Sequence, residues 1–432
     1  MKNGVRTTAL GLQHVLAMYA GAVLVPLIVG EALGLTSTQL TYLVSIDILM
    51  CGVATILQIM NNRFFGIGLP VVLGCTFTAV GPMIAIGGEF GISAIYGAII
   101  VSGIFVVLVS TFFGNLVRFF PPVVTGSVVT IIGITLIPVA INNVGGGQGA
   151  SDFGSLTNLS LAFGTLFFII ILYKMSKGFI RAISILLGLL FGTVAAIFMG
   201  IVDFAPVNEA AVLHMVKPFY FGLPTFEWSA ILTMILVAMV SLVESTGVYF
   251  ALGDICERDL KKKDLSKGYR AEGIAIVLGG IFNAFPYTTF SQNVGLTQMS
   301  GVKSRKVILV TALMLITLGF VPKIAAVTTV IPIAVLGGAM IAMFGMVISQ
   351  GIKMLSKTFT SSQENPMIIA CSIGIGLGVT VAPELFANLP VSLQMFTSNG
   401  IVAGSLTAIA LNILFNMLPT RKQKPNLAEQ EI

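Results

Sequence analysis

A glutamate stands in the middle of a long apolar run, Val240-Ser241-Leu242-Val243-Glu244-Ser245-Thr246-Gly247, well away from the nearest other charge, Asp254. A carboxyl group in such a run is costly and needs a reason. It can accept hydrogen bonds from a polar ligand, take up a proton, or sit as a buried carboxyl bonded to neighbouring helices. A second concentration of polar groups follows Pro286: Thr288, Thr289, Ser291, Gln292, Asn293, Thr297, Gln298 and Ser300, gathered around Gly295. An extended stretch ending near Gln292, continued by a half-helix, would aim free backbone N–H groups and a positive dipole end at one point. Such donors, with the Gln292 amide, suit a flat ligand that alternates carbonyl and ring N–H groups. Glu244 opposite Gln292 would accept from the ring N–H groups and complete the frame. Phe77 and Phe290 can sandwich a flat heterocycle or pack as ordinary core. His14, in Leu12-Gln13-His14-Val15, is either an interfacial histidine, a hydrogen-bond donor that fixes site geometry, or a proton shuttle. Asp47 lies too far from a segment end to act as a cap, which leaves an interhelical contact or a coupling role. The four cysteines, Cys51, Cys75, Cys256 and Cys371, have no paired spacing, so neither a disulfide framework nor a zinc site is expected. With two histidines, His14 and His214, no nucleophile–base pair or metal cluster is legible, and neither enzymatic chemistry nor a cofactor is expected.

The elements that must hold these residues are membrane helices. Of 432 residues 56% are apolar and 9% charged, with a mean hydropathy of +1.01. That polar content cannot cover a water-facing exterior, since soluble proteins carry about 25% charged residues. A soluble enzyme, a disordered chain and a secreted disulfide scaffold are therefore excluded. The apolar runs are long and continuous, not alternating at period two, which selects helices over a β-barrel. Hydropathy and breaker residues give fourteen segments, near 9–30, 38–60, 65–87, 90–113, 121–142, 156–175 and 181–202, then 228–252, 269–285, 286–301, 305–323, 325–351, 366–384 and 396–418. The opening MKNGVR leads into a retained first helix and not a signal peptide. With both termini in the cytoplasm, all of the 23 Lys and Arg except Lys217 and Lys323 fall on the inner side. That bias reaches to Arg118, Lys357, Arg421, Lys422 and Lys424, and it explains the net charge of +6 and the basic 258–270 loop without any nucleic acid.

Segments three and ten are interrupted at matching places in the two halves. One reads Pro70 to Gly81 with Thr76-Phe77-Thr78, the other Pro286 to Gly295 with Thr289-Phe290-Ser291. Seven segments per half would make the repeats inverted, and a matched pair of broken helices points to a midplane binding site in a secondary transporter.

Four ordered stretches carry a family resemblance across nearly the whole chain. Gln292-Asn293-Val294-Gly295 through Arg305 resembles the signature motif of the nucleobase–ascorbate transporters. Gln13-His14 resembles their first-helix motif, Glu244-Ser245-Thr246-Gly247 their eighth-helix glutamate motif, and Pro332 to Gly345 their twelfth-helix stretch. The resemblance implies an all-α polytopic membrane protein of fourteen transmembrane segments in two inverted seven-helix repeats, with short strands in segments three and ten. It implies a core domain (1–114 and 228–324), a gate domain (115–227 and 325–418) and a cytoplasmic tail at 419–432. It further implies homodimers through the gate domains and an elevator-like shift of the core. Carried over residue by residue, Glu244 and Gln292 bind the base from opposite sides, backbone near Phe77 and Ser291 completes the frame, and Phe290 stacks. His14, Asn293, Gly295 and Asp47 are carried over as residues that support the site or couple protons. Xanthine and urate transporters of the family resemble this chain in having glutamine at the first signature position, where uracil transporters have glutamate. The expectation is thus a proton-coupled xanthine importer of a bacterial plasma membrane. A urate or uracil permease is the near alternative, and an anion exchanger of the sulfate-permease type the distant one. One departure is Val248, four residues after Glu244, where many members have His or Asp.

Overall fold

A chain in lipid has to pair its own backbone N–H and C=O groups, and here helices do so almost throughout. The computed structural model describes residues 2–113, 119–356, 358–359, 362–390, 394, 397 and 399–418. Arg118, Lys357, Arg421, Lys422, Lys424 and the expected tail at 419–432 lie outside the described residues. The first half runs α1 (Lys2–Ala32), α2 (Ser37–Ile59), β1 (Leu73–Cys75), a 3-10 turn (Phe77–Ala79), α3 (Val80–Phe90), α4 (Ile92–Val109), α5 (Pro122–Val144), α6 (Leu156–Met175), α7 (Gly178–Ala182), α8 (Ser184–Phe198) and α9 (Ala205–Glu209). The second runs α10 (Trp228–Ile255), α11 (Lys262–Ile281), β2 (Tyr287–Thr289), α12 (Ser291–Ser300), α13 (Arg305–Gly319), α14 (Pro322–Thr329), α15 (Ile333–Ser356), α16 (Asn365–Val381), a 3-10 turn (Pro383–Phe386) and α17 (Gly400–Asn412), which ends in a π turn (Ile413–Met417).

Eight described helices are long and apolar enough to cross a bilayer, or nine if the bent pair α13 and α14 is one span. The stretch expected as one helix over 325–351 is two. α14 is bent by 78° from α13, and α15 starts afresh at Ile333. Prolines explain the break. Pro322 opens α14, and Pro332 has no N–H to continue it while its carbonyl accepts from Leu336 N at 3.1 Å in the first turn of α15.

The helices pack through small residues, which suits a medium that offers no hydrophobic drive between them. At the α4–α11 crossing Gly103 and Gly273 meet backbone to backbone, and a Cβ on either would lie 2.9 Å from the other's carbonyl oxygen. Gly126 and Gly351 do the same for α5 and α15, at 3.2 and 3.0 Å. Helices α1, α2, α4, α10, α11 and α13 pack among themselves, as do α5, α6, α8, α15, α16 and α17. The groups touch where α1 meets α8 and where α10 meets α5 and α17, and α12 meets α7 beside them.

Candidate functional site

The two interrupted segments come together. β1 and β2 form an antiparallel ribbon in the register Leu73 with Thr289, Gly74 with Thr288 and Cys75 with Tyr287. Phe290 N to Val72 O (3.0 Å) and Thr76 N to Pro286 O (2.9 Å) extend it at each end. The ribbon is fully buried, so its polar edges must be satisfied by neighbours. Leu73 N donates to Thr55 Oγ1 on α2 at 3.0 Å, and Thr289 N donates to Ser245 Oγ on α10 at 3.3 Å. Asp47, on α2 and fully buried, holds both arms at once: Phe285 N donates to Oδ1 at 3.0 Å and the Cys75 thiol donates to Oδ2. Asp47 therefore joins α2 to both breaks, through β1 and the turn before β2, and not to a second helix. Cys51 also lies beside this pair, its ligand atom within 4.8 Å of those of Asp47 and Cys75. Spacing in the sequence gave no hint of that grouping, because α2 and β1 meet only in the fold.

Because the ribbon is antiparallel, the helices that follow its strands start at opposite ends. Three strand residues at about 3.4 Å each separate those starts by about 10 Å. Thr76 caps the first start by accepting from Thr78 N at 3.3 Å. The second, α12, has Phe290 at its N-cap and no side-chain cap, so backbone N–H groups at Ser291 and Gln292 remain available. Both of those side chains are exposed. Gln292 and Phe290 line a cavity of about 410 Å³ whose other walls include Ala17 and Gly21 of α1 and Met343 and Met346 of α15.

Phe290 itself is almost wholly buried. Its ring lies across β1 at Gly74, where a Cβ would come within 2.5 Å of the ring, and against Gly21, where a Cβ would be 3.1 Å away. Phe77 also approaches Gly21 and meets Phe344 of α15 edge to face, with ring centroids 6.1 Å apart. The two phenylalanines thus meet the same residue of α1, Gly21, but of the two only Phe290 lines the cavity.

His14 and Asn293, 279 residues apart, form a buried clasp between α1 and α12. Asn293 Nδ2 donates to His14 Nδ1 at 3.1 Å and to the His14 carbonyl at 3.0 Å. Accepting at Nδ1 fixes the His14 tautomer with its proton on Nε2. Gly295 is half-buried with open space where a Cβ would project, so packing does not demand a glycine there.

Glu244 is half-buried on α10 and does not line the cavity that holds Gln292. Its neighbour Ser245 ties α10 to β2, meeting Thr288 Oγ1 at 3.2 Å and Thr289 Oγ1 at 3.3 Å. A second carboxylate that the sequence reading passed over lies close by. Glu272 on α11 is fully buried, accepts from the Tyr249 hydroxyl at Oε1, and has no partner for Oε2 among the described residues. Gln58 Nε2 donates to Tyr249 Oη and to Gly268 O (2.9 Å), so a chain of polar groups links α2, α10 and α11. The signal was present: Ala271-Glu272-Gly273 puts an acid inside the ninth apolar segment, where the same cost argument applies as for Glu244.

Compared with known proteins, residues 6–385 match the model of the Permease family. A xanthine permease of Bacillus subtilis (strain 168) is 65% identical over 435 residues, covering 100% of this chain and 99% of the relative. The chain belongs to this family. The resemblance to nucleobase–ascorbate transporters is borne out, and the chain is a multi-pass membrane permease, its relatives being named permeases and transporters and not enzymes. A uric acid permease of the same Bacillus strain is 63% identical (99% and 98% covered), as is a nucleobase transporter of Paenibacillus larvae (99% and 98%). Among solved structures, the transmembrane domain of a cyanobacterial bicarbonate transporter aligns with a TM-score of 0.65 at 15% identity, covering 94% of this permease and 98% of that chain. A murine anion transporter, Slc26a9, aligns at 0.62 and 11% (95% and 68%). At those identities the likeness is one of fold. The fold is therefore shared with anion transporters, and only the sequence separates this permease from them.

Proposed function

We propose that this permease imports xanthine by proton symport across a bacterial plasma membrane. The observation that carries the reading is the open cavity at the uncapped start of α12, walled by Phe290 and Gln292. A neutral amide that both donates and accepts, next to free N–H groups and an aromatic face, fits the mixed edge of a purine dione. The 65% identical xanthine permease supports the same choice. Urate is the second reading, favoured by the 63% identical uric acid permease.

In this reading the fourteen segments form two inverted repeats with both termini inside. The group built on α1, α2, α4, α10, α11 and α13 moves as the core, together with the ribbon and α12, against a gate that pairs in a homodimer. Glu244 travels with the same core, and its protonation favours the loaded, movable state. His14, Asn293 and Asp47 hold the frame. The test is labelled-xanthine uptake in cells lacking their own purine permeases, with unlabelled xanthine, urate, guanine and uracil as competitors. Block by xanthine and its nearest purine analogues, abolished uptake in Glu244→Gln and collapse with a protonophore are expected. Block by uracil alone would refute the purine assignment, and a requirement for a sodium gradient would refute the proton.

A further inference from the structure

We propose that Lys177 and Arg181 make the inner mouth of the cavity an electrostatic selector for purines carried as ring-deprotonated anions. The inference rests on the purine reading above, and within it on urate, the second purine named there; it adds the charge state of that purine and two residues that recognise it.

The short turn from α6 through α7 to α8 carries both cations, and it closes the same cavity that Phe290 and Gln292 open onto. The turn sits against α12, with Gly178 facing Met299 across a contact in which a Cβ would be 3.7 Å from the methionine methyl. Among the described residues that line the cavity, Lys177 and Arg181 are the charged ones, and none is Asp or Glu. Four other basic groups on the side expected to face the cytoplasm are engaged by the protein itself. Arg258 pairs with Asp264 at 2.9 Å and Lys303 with Glu257 at 2.6 Å. Arg270 donates to Phe64 O at 3.1 Å and Arg305 to Ile59 O at 3.3 Å. Arg181 is instead held over the Tyr173 ring, 3.9 Å from its centroid. Stacking on a ring fixes the guanidinium plane while leaving its N–H edge free for an anion. Neither it nor Lys177 has a hydrogen-bond or ion-pair partner among the described residues.

A basic loop on the cytoplasmic side is ordinary topology. Two unpaired cations of one sign on the wall of a cavity with low-dielectric sides do more, because such walls focus the field on what enters. Oxidised purines are the acidic ones: urate has lost a ring proton in mildly acidic buffer, whereas xanthine there is still neutral. The cavity thus distinguishes two rings of nearly the same shape by charge.

The experiment uses the full-length permease purified in detergent, with urate and xanthine binding measured in mildly acidic buffer at low and high sodium chloride. In the wild type, urate affinity is expected to fall several-fold with salt while xanthine affinity holds. The double variant Lys177→Gln with Arg181→Gln should lower urate affinity about five- to tenfold, the scale of partly screened charge pairs, and remove its salt dependence. Xanthine binding should stay within twofold, and Lys177→Arg with Arg181→Lys should restore much of the urate affinity. Equal losses for both purines would assign the two residues a packing role and overturn the proposal, as would unchanged urate binding. Wild-type protein that binds neither purine would refute the purine reading itself, and this inference with it.

Discussion

Asn293→Ala tests whether the site depends on the clasp between α1 and α12. The substitution removes two buried hydrogen bonds, to His14 Nδ1 at 3.1 Å and to the His14 carbonyl at 3.0 Å. At about 1 kcal/mol each the loss is about 2 kcal/mol. Removing Asn293 Oδ1 returns part of this, since that atom is buried without a partner, but it also leaves the His14 ring nitrogen without its donor. The two corrections oppose each other, so about 2 kcal/mol stands. α12 is a ten-residue, largely polar helix without a side-chain cap, held besides the clasp mainly by buried Leu296 and Thr297. The loss should therefore appear as local unseating and not as global unfolding, raising the unseated population about thirtyfold. Hydrogen–deuterium exchange of the purified permease should show faster exchange across 291–300 with α5 and α15 unchanged, and purine uptake should fall at least tenfold. His14→Gln keeps the bond to the backbone carbonyl and offers a side-chain carbonyl in place of the ring nitrogen, so its effect should be about half as large in free energy. If Asn293→Ala exchanges and transports within twofold of the wild type, the clasp does not hold the site and the reasoning fails.

Three further outcomes follow from the ribbon and its braces. Gly74→Ala would place a Cβ within 2.5 Å of the Phe290 ring, and should push that ring into the cavity and weaken purine binding about tenfold, read by equilibrium binding, with the fold retained. Asp47→Asn replaces one of two buried acceptors with a donor, so either Phe285 N–H or the Cys75 thiol loses its partner, and a cost of about 1–3 kcal/mol should lower the melting temperature in detergent. An unchanged melting temperature would show that Asp47 is not a brace. Tyr249→Phe removes the hydroxyl between Gln58 and Glu272 and leaves a buried carboxyl with neither oxygen bonded to Tyr249, so destabilisation by about 2–3 kcal/mol is expected in the same assay.

Much of this permease is legible along the chain because a bilayer imposes a one-dimensional rule. Each apolar run must pair its own backbone, so hydropathy and breaker residues located several of the long helices, and α2, α5 and α6 begin and end within about two residues of the expected places. The matched Pro and Gly breaks marked both segments as interrupted, and the family resemblance implied the strands there; irregular backbone at that depth needs a partner, and each strand pairs with the other. The breaks at Pro322 and Pro332 were equally present in the sequence, but the apolar run across them hid a 78° bend. What the sequence could not decide is which polar groups meet. His14 and Asn293 are 279 positions apart, and Phe285 and Asp47 are 238 apart. Both pairs form because α1 and α2 pack around the ribbon, and no local pattern records that packing. Glu272 was visible as an acid in an apolar segment, yet its tie to Tyr249 and Gln58 exists only where α2, α10 and α11 meet. Local composition fixes what a segment must become in lipid, whereas the partners of its buried polar groups are chosen by helix packing, which brings together residues that the chain keeps apart.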